Sequence, residues 1–356
     1  MLIVGNPVHA LHRGRQEMHR GRLVDCHEVP ERLDQVQAEL LRRGMGPVQV
    51  PPEPADLDAA LARVHSPRYL EFMRHAWDEW LAIDPVGHAG LDALPSVWPG
   101  RGMRHDVLPH NFAARIGLFS FDAGTPITAG AWIAARAGAA AAITAARSVA
   151  ASAAVGATGE TRSAFVLTRP PGHHAGPDYF GGYCFLNNAA LAAQALRDAG
   201  LERVGLLDVD YHHGNGTQHI FYERGDVFTV SIHGDPLTEY PFYLGHADER
   251  GVGAGEGFNL NLPLPRGAGF APWQGALSTG LAALRGFNAQ ALVVSLGVDT
   301  YQGDPISGFG LGSDDFTRIG ETIAAMRLPT VFVFEGGYAV EPVGVNVANV
   351  LQCFGA

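Results

Sequence analysis

The stretch from Val204 to Gly216, VGLLDVDYHHGNG, joins a short apolar run to a group of aspartates and histidines. The apolar part has the length of a buried strand, and the glycines after the histidines favour a turn. Functional side chains in open α/β sheets gather at the carboxyl ends of the parallel strands. We therefore predict a strand over residues 204–208, followed directly by residues that take part in chemistry.

The same pairing of a strand-like run with unusual polar residues recurs along the chain. Short apolar runs alternate with segments of helical periodicity, which predicts an α/β fold, a parallel sheet with helices on both of its faces. The predicted strands are residues 2–4, 164–168, 204–208, 227–232, 291–296 and 330–334. The predicted helices are residues 31–43, a helix that begins after Ser66-Pro67, one long helix within 129–160, and residues 187–199, 273–285, 314–326 and 343–353. A flexible loop, SAAVGATGE, is expected after the long helix.

Size and composition favour one compact domain. The chain has 356 residues, of which 47% are hydrophobic and 17% charged, and its sequence contains no evident repeat. We predict a single domain over residues 1–356, with an extended N-terminal loop at about residues 7–30.

Charge and cysteine content limit which binding partners and which cellular compartment are expected for the protein. The formal net charge of −11 disfavours non-specific nucleic-acid binding, which needs a basic surface. The three cysteines are far apart and form no CxxC motif, so a reducing cytoplasm is expected rather than a disulfide framework. No apolar run approaches the length of a membrane span, so we expect no membrane partner.

Asp208, Asp210 and His212 are spaced two residues apart, and the last two are candidate metal ligands. In an extended segment such residues point to the same side, so Asp210 and His212 are expected to bind one ion together. Asp299, in GVDT after the run 291–296, supplies a third ligand. Two carboxylates and an imidazole are typical of a catalytic metal site with an open position. Zn²⁺ is the natural ion, with Fe²⁺ and Co²⁺ as alternatives.

Two adjacent histidines, His173 and His174, lie in RPPGHHAGPDYFGGYCF, residues 169–185. Imidazole groups transfer protons near neutral pH when a partner holds the other ring nitrogen. Asp208 is the predicted partner of one histidine and Asn215 that of the other. The two rings are therefore expected to titrate apart, with one of them staying neutral as the base.

A tyrosine, Tyr338, lies in the EGGY segment after the last predicted strand. Gly336 and Gly337 before it allow a tight turn that brings the phenol over the metal site. Its hydroxyl would there stabilise an oxyanion developing on a substrate carbonyl.

With these motifs the sequence resembles the zinc-dependent histone deacetylase superfamily, whose members have the arginase/deacetylase fold. The matching stretches are RPPGHHAGPDYFGGYCFLNNAA, LLDVDYHHGNGTQHIFYERGDVFTVSIHGDP, VVSLGVDTYQGDPISGF and FVFEGGY, and the similarity runs over nearly the whole chain. Within the superfamily, PDYFGGYCF, NGTQHIFYERGDVF and the long N-terminal loop are most similar to the bacterial acetylpolyamine amidohydrolases. The resemblance implies hydrolysis of short-chain N-acylated amines to a carboxylate and a free amine.

The resemblance also implies roles for individual positions. The residues matched to zinc binding are Asp210, His212 and Asp299, and those matched to proton transfer and carbonyl polarisation are His173, His174, Asp208 and Tyr338. The tunnel walls and mouth match Gly182, Tyr183, Tyr240, Ile306 and Glu17. Members also carry potassium near the zinc, held largely by backbone carbonyls. The first such ion would lie at Asp208, Asp210, His212, Ser231 and Ile232, and a second at Phe221, Arg224, Val227 and Phe258.

The charges near the tunnel mouth leave the identity of the substrate amine undecided. Glu17 matches an acidic residue that polyamine enzymes use, but the same loop is rich in cationic residues: His12, Arg13, Arg15, His19, Arg20 and Arg22. These residues have two interpretations: they are solvated surface charges, or they form a positively charged tunnel mouth that disfavours a polycationic substrate. A monocationic, neutral or carboxylate-bearing amide is therefore an alternative to an acetylpolyamine, and the acidic residues that could still favour a cation are Asp92, Asp106 and Asp122.

Other functions share parts of this pattern. A lysine deacetylase acting on acetyl-lysine peptides or acetylated amino acids is the main alternative. A ureohydrolase of similar fold is disfavoured because the second metal loop offers only Asp299, and a silent acyl-amine-binding protein because the histidine pair and Tyr338 are all present. In the resembled enzymes the long N-terminal loop packs across a dimer interface and narrows the channel. This implies a homodimer and a small or flexible substrate.

Overall fold

A parallel sheet lies at the centre of the protein, whose computed structural model describes residues 1–154 and 162–354. In chain order, the strands of these residues are β1 (Leu2–Gly5), β2 (Gln16–His19), β3 (Arg22–Asp25), β4 (Val48–Gln49), β5 (Ser163–Leu167), β6 (Val204–Asp208), β7 (Val227–Gly234), β8 (Asn259–Leu264), β9 (Ala291–Leu296) and β10 (Thr330–Phe334). Eight of them form the large sheet in the order β4-β1-β5-β10-β9-β6-β7-β8, and all neighbours in it run parallel. The predicted α/β fold is confirmed.

The helices lie on both faces of this sheet. In the described residues they are α1 (Glu31–Arg42), α2 (Leu57–Leu61), α3 (Pro67–Ile83), α4 (Phe112–Leu118), α5 (Ala131–Ala154), α6 (Asn188–Asp198), α7 (Asn215–Phe221), α8 (Phe270–Gly286), α9 (Ser313–Ala324) and α10 (Val340–Leu351). Of the predicted loop SAAVGATGE, the part beyond Ala154 lies outside the described residues. Among those residues, no helix has both the length and the apolarity needed to cross a membrane.

Two apolar layers flank the sheet and explain the unbroken hydrophobic runs of its strands. In β5, Ala164 and Val166 pack in the layer formed by α5 and α6, whereas Phe165 and Leu167 pack in the layer formed by α1 and α8–α10. Because strands of a parallel sheet are covered on both faces, every position along them favours an apolar side chain. The six predicted strands therefore appear with bounds within two residues of those expected.

Two strands of the large sheet were not predicted, and both lie at its edges. β4 is only two residues long, which is below the length at which a pattern can be recognised. In β8 the asparagines Asn259 and Asn261 alternate with leucines, and Pro263 removes one backbone donor. An edge strand tolerates both features because one side has no neighbour to pair with.

The N-terminal segment is less irregular than predicted. Residues 7–30 were expected to form an extended loop, but they contain an antiparallel hairpin of β2 and β3. Its two turn residues, Arg20 and Gly21, have φ angles of 49° and 78°, the left-handed region that tight hairpin turns require. Arginine is an unusual residue at such a turn, so the sequence carried only a weak hairpin signal.

Candidate active site

Four loops meet at the carboxyl edge of the sheet, where β5, β10, β9 and β6 end. These strands are neighbours in the order of the sheet, so the loops that follow them are brought together. They carry, in this order, the histidine pair, Tyr338, Asp299 and the segment from Asp208 to His212. The predicted gathering of polar residues at one edge is therefore present.

Asp210, His212 and Asp299 form a buried cluster whose ligand atoms all lie within 4.8 Å of one another. Nδ1 of His212 is 2.9 Å from Oδ2 of Asp299 and 3.3 Å from Oδ1 of Asp210. Two ionised carboxylates are costly to bury this close together, and burial followed by the negative charge of Asp210 raises the pKa of Asp299 to about 8. A cation would relieve this repulsion, and an N,O₂ donor set with this spacing suits Zn²⁺.

Backbone amides orient the carboxylates of this cluster. The amide of Gly336 donates to Oδ2 of Asp210 at 2.8 Å, and the amide of Tyr211 donates to Oδ1 of Asp299 at 2.8 Å. Such outer contacts fix the direction of metal ligands and so preorganise a site.

The geometry around Asp208 corrects one part of the sequence argument. The three residues were expected to share one side of an extended segment, but β6 ends at Asp208 and the chain then turns. The amide of Asp210 donates to Oδ1 of Asp208 at 3.1 Å, and the amide of His212 donates to Oδ1 of Asp210 at 2.9 Å. Asp210 and His212 converge because of these side-chain-to-backbone bonds rather than strand periodicity.

The histidine pair has the two partners that were predicted. Nδ1 of His173 lies 2.9 Å from Oδ2 of Asp208, and Nδ1 of His174 lies 2.6 Å from Oδ1 of Asn215. Burial would lower the pKa of His173, but the carboxylates of Asp208 and Asp210 raise it to about 10. Burial, and then the positive charge of His173, lower the pKa of His174 well below its usual value. The two rings therefore differ in charge at neutral pH.

Tyr338 stands in the wall of the cavity that leads to this cluster. Its backbone amide donates to Oδ2 of Asp304 at 2.6 Å, and its ring lies 5.5 Å from that of Tyr183, measured between centroids. Gly337 before it has a φ of 129°, so the turn that brings the phenol to the cavity requires glycine. Asp304 was not singled out from the sequence, although its position in QGDP after the Asp299 loop was a usable signal.

A cavity of about 310 Å³ leads from the surface to His174, His212 and Tyr338. The five residues predicted for the tunnel all line it: Glu17, Gly182, Tyr183, Tyr240 and Ile306. The hydroxyl of Tyr183 donates to Oε1 of Glu17 at 2.8 Å, and the hydroxyl of Tyr240 donates to Oδ2 of Asp122 at 2.7 Å. The hydroxyls of Tyr183 and Tyr240 are thus each held by a carboxylate.

The mouth of the cavity is formed in part by the β2–β3 hairpin. Glu17 lies there but is buried, with 1% of its surface exposed, and accepts a second hydrogen bond from Nδ1 of His27 at 2.7 Å. It is therefore an internal carboxylate rather than the free rim charge that the sequence suggested. Among the cationic residues of this segment, His19 and Arg20 line the cavity, whereas Arg13 pairs with Glu31.

The three aspartates considered for the tunnel mouth lie in different environments in the structure. Asp122 lines the cavity, and burial raises the pKa of its carboxyl. Asp92 instead accepts from the backbone amide of Arg15 at 2.6 Å, and Asp106 pairs with Arg104 at the surface. The sequence could not show which of these three aspartates lines the cavity, because all three lie in segments without periodicity. Only the tertiary contacts distinguish them.

The residues predicted to hold potassium lie in β6 and β7 and in the segments next to these strands. Asp208 and Ser231 are paired neighbours in these two strands, and Ile232 follows. In the second group, Val227 begins β7, the amide of Arg224 donates to the carbonyl of Phe221 at 2.9 Å, and the carbonyl of Phe258 accepts from the amide of Thr229 at 3.1 Å. Their binding of potassium stays a prediction.

Comparison with known proteins places these features in a wider context. The chain matches the family model of the histone deacetylase domain over residues 26–354. It is 49% identical over 354 residues to acetylpolyamine amidohydrolase 2 of Pseudomonas aeruginosa, covering 99% of this chain and 98% of that protein. It is 45% identical over 352 residues to the acetylpolyamine amidohydrolase of Mycoplana ramosa, covering 99% of both. Among solved structures, an acetylpolyamine aminohydrolase from Burkholderia pseudomallei superposes with a TM-score of 0.90 at 40% identity, covering 100% of this chain and 99% of that one.

Proposed function

Because the chain belongs to the histone deacetylase family, we propose that it is a zinc-dependent amidohydrolase that removes short acyl groups from small amines, with acetylpolyamines as the preferred class. The observation that carries the proposal is the cluster of Asp210, His212 and Asp299. It lies at the end of a cavity of about 310 Å³ that His174 and Tyr338 also line. Relatives that match this chain over nearly their full length are named for acetylpolyamines, which favours that class of amine over acetyl-lysine peptides.

Asp210, His212 and Asp299 would hold the zinc. When bound, Zn²⁺ would polarise the substrate carbonyl and acidify a water molecule. Among the residues of the chain itself, His174 faces the cavity and is kept neutral by burial and by its charged neighbour His173, so it takes the proton of the attacking water. The hydroxyl of Tyr338 donates a hydrogen bond to the oxyanion that forms from the carbonyl.

His173 has a different part in this scheme. Its ring is held by Asp208 and stays positively charged, which keeps His174 neutral until the latter accepts a proton. His174 then delivers that proton to the leaving amine, so one imidazole serves as base and acid in turn. Asn215, which accepts from Nδ1 of His174, leaves Nε2 free for both transfers.

The remaining predictions belong to the same proposal. We propose that residues 1–356 act as one deacetylase-like domain in the cytoplasm, with the cysteines Cys26, Cys184 and Cys353 all free. A homodimer through the N-terminal segment is supported by Met18 and Leu23, apolar side chains that the β2–β3 hairpin exposes to 38% and 53%. Such a contact would cover the cavity mouth and restrict it to small or flexible amides. We also propose that potassium ions bind at the two groups of residues near β6 and β7.

A substrate panel tests the proposed function. We expect zinc-loaded protein to hydrolyse N-acetylputrescine and N-acetylcadaverine with a kcat/KM at least about tenfold above that for an acetyl-lysine peptide, in keeping with relatives that are named for acetylpolyamines. Preference for the peptide would favour a lysine deacetylase. Absence of hydrolysis with every acylated amine would exclude the proposal.

A further inference from the structure

Beneath the active site, a single buried carboxylate lies between two buried guanidinium groups. Glu28 accepts from Nη1 of Arg32 at 2.9 Å, from Nε of Arg169 at 2.8 Å, and also from Nη2 of Arg169. The exposed fraction of Glu28 is 3%, and that of both arginines is zero. Burial would raise the pKa of Glu28, but the two arginines lower it to about 2, so the carboxylate is ionised at neutral pH.

One of the two arginines begins the loop that carries the histidine pair. Arg169 lies two residues after the end of β5 and precedes His173 by four residues. Its Nη1 donates to the carbonyls of His9 and His12, each at 2.6 Å, in addition to its bonds with Glu28. The start of the histidine loop is therefore fixed through the guanidinium of Arg169.

The other arginine holds the loop that carries Tyr338. Nη2 of Arg32 donates to the carbonyl of Glu335 at 2.5 Å, and Nε donates to the carbonyl of Gly337 at 2.6 Å. Its guanidinium lies 4.5 Å from the centroid of the Tyr338 ring. Arg32 thus fixes the chain on either side of Gly336 and contacts the phenol from behind.

The two loops are also joined directly. Oε2 of Glu335 accepts from the backbone amides of Gly172 at 2.6 Å and His173 at 3.2 Å. A displacement of either loop would therefore be passed to the other. Glu28 is the point at which both guanidiniums are held, because it is the carboxylate that both of them contact.

We propose that Glu28 is a positioning residue that sets the distance between the imidazole of His174 and the hydroxyl of Tyr338 by holding Arg169 and Arg32 together. The inference rests on the proposed function, in which that imidazole and that hydroxyl act on the same amide. Loss of the charge would leave two buried guanidiniums without a counterion, and both would shift toward other acceptors or water. Glu28 lies outside the lining of the cavity, so its effect is on turnover rather than on substrate binding.

The test compares Glu28→Gln and Glu28→Asp with Glu39→Gln. Glu39 is a matched control because it also binds two arginines, Arg42 and Arg43, but at the C-terminal end of α1 instead of between the two loops. We expect Glu28→Gln to lower kcat about 10- to 100-fold, with KM and bound zinc nearly unchanged, as for residues that orient functional groups from behind. Glu28→Asp restores part of the loss because it keeps the charge, and Glu39→Gln keeps the wild-type kcat.

A double-mutant cycle separates positioning from a general loss of stability. In the Tyr338→Phe background, Glu28→Gln should cost a smaller factor in kcat than it does in the wild type, since the hydroxyl it positions is already gone. A purely structural role predicts the same factor in both backgrounds, and that result would overturn the proposal. Should Glu28→Gln fail to fold, Glu28→Asp is judged by the same two measurements, and wild-type behaviour of that variant would reject the role.

Amide hydrogen exchange keeps this inference distinct from the proposed function. Loss of Glu28 should speed exchange in peptides that span residues 169–174 and 335–339, whichever substrate the enzyme uses. A wild-type protein that hydrolyses no acylated amine would contradict the proposed function only. Unchanged exchange in both peptides would contradict the role of Glu28.

Discussion

His173 and His174 are neighbours in the chain but hydrogen-bond to side chains of opposite character. The carboxylate of Asp208 stabilises a charged imidazole more strongly than the neutral amide of Asn215 does. Both partners could be predicted from the sequence because Asp208 ends β6 and Asn215 lies in the segment after it, so both reach the same edge of the sheet. Which histidine faces the substrate was open until the cavity showed that His174 lines it.

Removal of the Tyr338 hydroxyl tests the oxyanion role. We expect Tyr338→Phe to lower kcat about 10²- to 10³-fold, because a hydrogen bond to the developing charge is lost from a buried site. Zinc content and the far-ultraviolet circular dichroism spectrum should stay unchanged. Tyr243→Phe, at a tyrosine that is 89% exposed, is the control and should be silent. Near-wild-type turnover by Tyr338→Phe would rule out the assignment.

The loop after β5 depends on a glycine to bring the histidine and the tunnel wall into contact. Gly182 has a φ of 54°, and a β-carbon at this position would overlap the ring of His174. Its amide donates to Oδ2 of Asp122 at 2.7 Å, the same oxygen that accepts from Tyr240. This loop therefore couples the position of His174, the proposed base, to both tunnel walls.

Two glycine variants separate the effect of backbone strain from that of the collision. Gly182→Ala and Gly257→Ala both place a side chain at positive φ, at a cost of about 1–2 kcal/mol in the free energy of unfolding. No atom lies within 4 Å of a β-carbon at Gly257, so only Gly182→Ala displaces the His174 ring. We expect Gly182→Ala alone to lower kcat/KM, by about 100-fold or more. Equal kinetics in the two variants would refute the collision.

The secondary-structure elements differ in how well the sequence predicted them. The buried strands were recognised because coverage on both faces requires continuous apolar runs, as in β9 and β10. β8 was missed because an edge strand can carry Asn259 and Asn261, which here bond to Gln218 and other polar groups instead of the core. The β2–β3 hairpin was missed because Arg20 occupies a turn position that favours asparagine or glycine.

At the scale of the whole molecule, the three proposed metal ligands follow two neighbouring strands of the sheet. Asp210 and His212 follow β6, and Asp299 follows β9, the strand with which β6 pairs. An ion held by all three would therefore tie together segments that are more than 80 residues apart in sequence. Such an ion binds the folded state in preference to the unfolded chain and stabilises it.

Removal of the metal should reveal this link. We expect a chelator to abolish turnover and to lower the Tm by several degrees, since ligand binding at 100 times Kd contributes about 2.7 kcal/mol. Equimolar Zn²⁺ should restore both, with one ion bound per chain by equilibrium dialysis. Asp299→Asn gives a matched comparison, because its Tm should respond much less to the chelator. A chelator-insensitive Tm in the wild type would contradict a metal that bridges the strands.

Acid stability depends on the buried charge at Glu28. Its pKa falls from 4.5 in the unfolded chain to about 2 in the folded protein, so the ionised carboxylate stabilises the fold above pH 4.5 and this contribution is lost as the pH falls toward 2. The shift corresponds to roughly 3 kcal/mol. The free energy of unfolding should therefore fall more steeply between pH 4.5 and pH 2.5 in the wild type than in Glu28→Gln. Parallel curves from denaturant titrations would exclude this linkage.

The sequence by itself determined the alternation of strands and helices and the edge at which the candidate functional residues gather. It also singled out the three residues proposed as metal ligands and the hydrogen-bond partners of the two histidines. These follow from local patterns, since burial on two faces dictates apolar runs and strand ends bring their loops together. Only the tertiary structure decided that Glu17 is internal, that Asp122 rather than Asp92 or Asp106 lines the cavity, and that Glu28 joins two arginines beneath the site. Those features depend on contacts between irregular segments far apart in the chain, where no periodicity records which side chain meets which.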